Sequence, residues 1–173
     1  MDIGKTILAE WVCLLMTAAP VLCGSIELAS SKKNSVEAKI DVSDDGGKTV
    51  AIEMDATEAK DAGTAEGDLQ IRSQDNSETL VELVYMAVDD DYAWLAGRCT
   101  KDSGALADKW LFIAVHDGGQ PGRLVDQIWL EWLSGGPDGE SAAKQKVDNR
   151  EKPAESKSIE SGDIVVTCYD KSK

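Results

Sequence analysis

Asp108–Ser134, DKWLFIAVHDGGQPGRLVDQIWLEWLS, is the stretch that decides the fold. Trp110, Phe112 and Ala114 alternate with Leu111, Ile113 and Val115, so one short run is apolar on both faces. After DGGQPG, Ile128, Leu130 and Trp132 alternate with Trp129, Glu131 and Leu133. Runs of this length and period are strands, and a Gly/Pro-rich turn between them makes a hairpin. The pair reads as the central hairpin of a β domain, its turn fixed by DGGQPG.

Outward from this hairpin the same period recurs. Val36, Ala38, Ile40 and Val42 alternate with Glu37, Lys39 and Asp41, and Val50, Ile52 and Met54 alternate with Ala51, Glu53 and Asp55. These strands have one wet face, and SDDGGK joins them as a turn. Residues 56–67 lack a period and read as a loop with at most one helical turn. Leu69 and Ile71 mark a short strand. Thr79–Val88 is apolar on both faces except at Glu82, and Tyr92–Cys99 follows with Gly97 signalling a bulge or a close backbone approach. A short helix is expected over Ala142–Val147, capped by Asp138 or Ser141. Asp163–Tyr169 is the last strand. About eight short strands and at most one short helix predict a single all-β antiparallel sandwich or barrel over residues 36–173.

Residues 1–24 have the layout of a signal peptide, with Lys5 before the apolar WVCLLMTAA at Trp11–Ala19 and small residues at Gly24 and Ser25. An attached amphipathic helix is the alternative. Residues 25–35 read as a linker, and the expected localisation is extracytoplasmic. A lipoprotein anchored through Cys23 is the lesser reading, because Leu22 stands where a small residue is needed. Without the first 24 residues only Cys99 and Cys168 remain, an even pair that suggests a disulfide in an exported protein. Two unconnected thiols are the alternative, since geometry decides.

The formal charge of −14 excludes functions built on neutralising phosphates. Nucleic acid is therefore not an expected partner, and no apolar run is long enough to require a membrane span. A lone histidine, His116, with no G-x-S-x-G elbow argues against nucleophilic hydrolysis and against a closed Cys/His zinc site. Asp41, Ser43, Asp45 and Gly46 follow the opening of a calcium loop, but Ile52 stands where the bidentate Glu is required. A calcium site built from Asp89, Asp90 and Asp91 with Asp117 or Asp126 is the remaining metal candidate; the alternative is a solvated acidic turn. No other cofactor is expected.

The runs YAWLAGRC, DKWLFIAVHDGGQPGRLVDQIWLEWL and GDIVVTCYD together resemble a family of small exported bacterial and archaeal β domains. These are similar to the barrel-like domain that follows choice-of-anchor modules in secreted proteins. The resemblance spans about Val81 to Asp170, implies an extracytoplasmic barrel or sandwich, and brings no catalytic residues with it.

Trp94, Trp110, Trp129 and Trp132 are the candidate ligand-binding residues, because rings on a β surface stack on sugar faces. Trp129 and Trp132 point to opposite faces of one strand, so at least one of them belongs to a core. Glu131 is a candidate acid only if it is buried beside a second carboxylate. The expected function is a non-catalytic binding or display module, with a glycan or a cell-surface protein as partner. A structural or assembly module is the alternative, and a carboxylate-based glycoside hydrolase the lesser one.

Overall fold

Alternating sequence becomes one continuous sheet. A computed structural model describes residues 33–43, 47–102, 104–119, 126–153, 156–157 and 159–169. Its strands are β1 (Ser35–Ser43), β2 (Thr49–Glu58), β3 (Thr64–Ser73), β4 (Glu78–Asp89), β5 (Tyr92–Lys101), β6 (Lys109–His116), β7 (Gln127–Gly135) and β8 (Ile159–Thr167). A single helix, α1 (Gly136–Asp148), precedes β8. All neighbours pair antiparallel in the order β7-β6-β5-β4-β3-β2-β1-β8. The all-β reading with one helix before the last strand therefore holds, in the form of one curled half-barrel sheet. The signal segment, Cys23 and most of the linker lie outside the described residues.

Every strand sends apolar side chains to the inside of the curl. Val36, Ile52, Leu69, Val81, Leu95, Ile113, Ile128 and Ile164 represent the eight strands in one buried cluster. Each such side chain contributes about 1.5–3 kcal/mol by leaving water. Curling demands close backbone approach, and Gly97 provides it. A Cβ there would lie 2.3 Å from the Glu82 carbonyl oxygen, so no larger residue fits. Opposite it, the register of β4 slips between Leu83 and Tyr85. The bulge moves the inward set from Val81 and Leu83 to Met86, and bends the strand.

Two expectations need correction. Residues 56–67 are largely strand rather than loop: β2 runs to Glu58 and β3 starts at Thr64, joined by a short turn. Cross-strand pairing of Ala56 with Gly67 and Glu58 with Ala65 stabilises a stretch of weak intrinsic preference. Helix α1 begins at Gly136, earlier than expected, with Pro137 in its first turn. Gly135 is its N-cap and no side chain caps it, so neither Asp138 nor Ser141 has that role.

Helix α1 lies on the outer face of the β4–β7 half. Gly139, Ala143 and Val147 form its buried stripe at four-residue spacing. They meet Trp94, Ala96, Trp110, Phe112, Ala114 and Trp129, a second apolar cluster on the opposite side of the sheet from the first. The outer face of the other half, β3-β2-β1-β8, has no such cover among the described residues.

Candidate functional site

Three of the four candidate tryptophans belong to the helix-covered cluster. Trp94, Trp110 and Trp129 are buried, with 8 % or less of their surface exposed. Trp132 points into the curl and is half-buried against the interior cluster. The expected tryptophan-lined surface is thus not formed: the rings alternate between two cores, because their strands are covered on both sides. Trp94 Nε1 is buried without a hydrogen-bond partner in the described structure.

The five acids offered as calcium ligands are likewise drawn apart. Asp89 pairs with Arg150, and Asp91 accepts from or faces His116 Nε2 at 3.2 Å. Asp90 sits in the left-handed region at φ 58°, completing the tight β4–β5 turn. Asp117 and Asp126 flank the β6–β7 turn and are occupied by backbone amides. Asp126 Oδ1 accepts from Gly118 N at 2.8 Å and its Oδ2 from Ile164 N at 2.9 Å. Asp117 Oδ1 accepts from Gly119 N at 2.7 Å and its Oδ2 from Val166 N at 3.0 Å. Among the described residues no group of three or more His, Cys, Asp or Glu side chains could hold a metal ion.

What the two carboxylates do instead is structural. On β8, Val165 and Thr167 lie in register with Glu37 and Ser35 of β1, while Ile164 and Val166 N–H groups point the other way. That second edge would be bare. Asp126 and Asp117 fill it with charge-assisted hydrogen bonds, the strong kind. Lys157 N adds a bond of 2.8 Å to the Ile128 carbonyl of β7, so the seam between the first and last strands of the sheet is stitched at three points.

His116 is buried, stacked on Tyr92 with ring centres 4.2 Å apart, and Lys152 Nζ lies over the Tyr92 ring, 3.5 Å from its centroid. No serine or cysteine nucleophile is bonded to it among the described residues. Glu131 is half-buried and ion-paired with Lys146 at 3.0 Å. Burial of Lys146 opposes its charge, but hydrogen bonds to Glu151 and Glu131 outweigh this and raise its pKa. Glu131 of β7 and Glu151 thus both hold the Lys146 ammonium of α1, each at 3.0 Å.

The expected disulfide is not formed either. Cys99 is a buried thiol on β5, donating weakly to the Lys101 carbonyl, and burial raises its pKa, helped by Asp102. Cys168 is exposed just past β8.

The arrangement that sequence reading missed lies on the uncovered face. Glu37 is in register with Asp55, Asp55 with Asp68, and Asp68 with Glu82. Four carboxylates therefore stand directly side by side across four adjacent strands, all exposed. Strands lie about 4.8 Å apart, so the row is about 14 Å long. Among the described residues none of the four makes an ion pair. The neighbouring row is compensated: Lys39 bridges Glu53 at 2.9 Å, and that hydrogen bond and charge, with Arg72, hold Glu53 below the usual carboxylate range. Arg98, the register neighbour of Glu82, is engaged by Asp108 at 2.6 Å. An open groove of about 550 Å³ runs along this face between Glu37, Asp55, Asp68, Asp163 and Val165. A second depression of about 460 Å³ adjoins it, sharing Asp68 and reaching Glu82. Val165 is 46 % exposed at the groove wall.

Compared with protein-family models, curated proteins and solved structures, the chain matches none.

Proposed function

We propose that this chain is an exported, non-catalytic β domain that works as a binding or display module, presenting the bare outer face of β8, β1, β2 and β3 with the adjoining stretch of β4 around Glu82. The observation that carries this reading is the row Glu37-Asp55-Asp68-Glu82. Like charges directly opposite each other on a sheet are destabilising. A solvated face needs no such arrangement, as the compensated Lys39–Glu53 row beside it demonstrates. Features that cost stability without a structural return are characteristic of functional surfaces.

Export is supported by the n-region, apolar core and small residues of segment 1–24, and by the resemblance to exported barrel-like domains. A glycan partner bound on tryptophan rings has less support, because Trp94, Trp110 and Trp129 lie beneath α1. The test is the fourfold variant E37Q/D55N/D68N/E82Q. At an ionic strength of ~0.01 M its melting temperature should rise by about 2–4 °C, and the gain should shrink at ~1 M salt, where charges are screened within a few ångströms. A variant that melts lower than the parent at low salt would show that the row supports the fold, and the reading would be lost.

A further inference from the structure

We infer that β8 detaches as a unit and is exchanged between two copies of this chain, each β8 lying beside the other copy's β1. β8 has the fewest buried residues of any strand: six of its nine are exposed and only Ile164 is buried. One buried side chain is a small return for ordering nine residues. The ladder to β1, its only one, is also irregular. The register slips between Asp41 and Val42, with Glu160 as the extra residue, and Gly162 sits at φ 102°, where larger side chains are strained. β7, at the opposite edge of the sheet, is held more firmly, because Trp129 packs beneath α1.

The outer edge of β8 is closed by side chains instead of a strand. Among the described residues no strand pairs with it, and its Ile164 and Val166 amides donate to Asp126 and Asp117. The backbone bond from Lys157 N to the Ile128 carbonyl lies outside β8. Two carboxylates release an edge by changing rotamer, whereas a paired strand must break a whole ladder. β8 can therefore leave while the other seven strands stay paired.

What fills the vacated place is set by its chemistry. Ile164 needs an opening in the interior cluster, two amides need Asp126 and Asp117, and Ser161 and Glu160 need Asp41 and Ser43. The β8 of a second copy meets all of these, and a strand of another sequence does not. Residues 149–158 join α1 to β8 and, extended, span about 33–36 Å, enough to carry β8 to a neighbour. Exchanging an identical element remakes every contact it breaks, so it is a low-cost route to a dimer.

The full chain is tested first by amide hydrogen exchange at denaturant concentrations below its unfolding transition. Asp163, Ile164, Val165 and Val166 should exchange together, at least about tenfold faster than Ile113 of β6 and with a weaker dependence on denaturant. Next, isotopically labelled and unlabelled chains are mixed at about 1 mM, near the effective concentration of a tethered strand. A dimer should form, and contacts filtered by label should join Ile164 of one copy to Ala38 of the other, its register neighbour within the monomer. D117N/D126N should reach the same dimer fraction about ten- to a hundredfold faster, since the carboxylate bonds are broken on the way and remade at the end. β8 amides that exchange only together with Ile113 would overturn the proposal. So would the absence of a dimer, a dimer whose Ile164 touches only its own Ala38, or an unchanged rate in the double variant. If that variant does not fold, the parent chain's exchange and label-mixing results decide the question alone.

Discussion

The two halves of this sheet share one interior and differ in everything on the outside. Over β4–β7 the outer positions are Trp94, Ala96, Trp110, Phe112, Ala114 and Trp129, and a helix covers them. Over β8-β1-β2-β3 the outer positions are Glu37, Lys39, Glu53, Asp55, Asp68 and Asp163, and groove space covers them. The same backbone thus supports a dry face and a wet one, set only by which residues occupy alternate positions. The tryptophans, which in sequence looked like the functional residues, stabilise the first half. The acids, which looked like ordinary solvated positions, line up in register across the uncovered half and the strand beside it.

The contrast is broken most severely from the covered side. Trp110 is packed between Gly139 of α1 and Tyr85, whose ring centre lies 5.9 Å away. Trp110→Ala should cost about 3–5 kcal/mol in chemical denaturation, from lost transfer energy and the cavity left behind. A loss within the ~0.5 kcal/mol usual for surface changes would mean that the helix does not cover this face.

Next in size is the seam. Asp126→Ala removes acceptors for Gly118 N and Ile164 N and should cost about 2–3 kcal/mol, with faster amide exchange at those two residues. Exchange unchanged at Ile164 would show that Asp126 does not hold β8.

A smaller effect concerns how α1 is fastened. The folded pKa of Lys146 is raised above its ordinary 10.5, so its contribution is complete below that pH and is lost as pH rises through the folded value. Glu151 is lowered from 4.5, chiefly by its hydrogen bond to Lys146, so its contribution is present above pH 4.5 and lost as pH falls through the folded value. Lys146→Gln should therefore melt lower than the parent between these limits, and the difference should narrow at both extremes. A pH-independent difference would remove the ion pairs from the account. Smallest of all, and opposite in sign, is the gain expected from neutralising the acid row, which sharpens the comparison because no substitution in the apolar cluster beneath α1 should stabilise.

Much of the fold was legible because period-2 alternation reports a local property, the direction of each side chain from its strand. The hairpin of Val36–Met54, the hairpin of β6 with β7 and the glycine at 97 were all readable in that way. The central place expected for Asp108–Ser134 was not, because β7 is the edge strand of the sheet and is only half-buried from Leu130 to Leu133. Residues 56–67 were not, because Ala, Glu, Asp and Gly carry weak preference and became strand only through pairing with neighbours. The candidate sites were less legible still. Asp117 and Asp126 were singled out correctly as acids at the central turn, yet their partners, Val166 and Ile164, lie 49 and 38 residues away. The missed row had a signal in the wet positions Glu37, Asp55 and Glu82 of alternating strands. Its alignment, however, depends on three hairpin registers at once.

By itself, the sequence determined the class of fold, the number and order of strands, the acidic exterior and the presence of one helix before the last strand. Those follow from composition and short-range periodicity, which act along the chain. Tertiary structure alone decided that β8 returns beside β1, that the tryptophans divide between two cores, that the cysteines stay apart and that four carboxylates line up. Each of these depends on inter-strand register and curl, and register is the relation between distant segments that alternation along one strand does not encode.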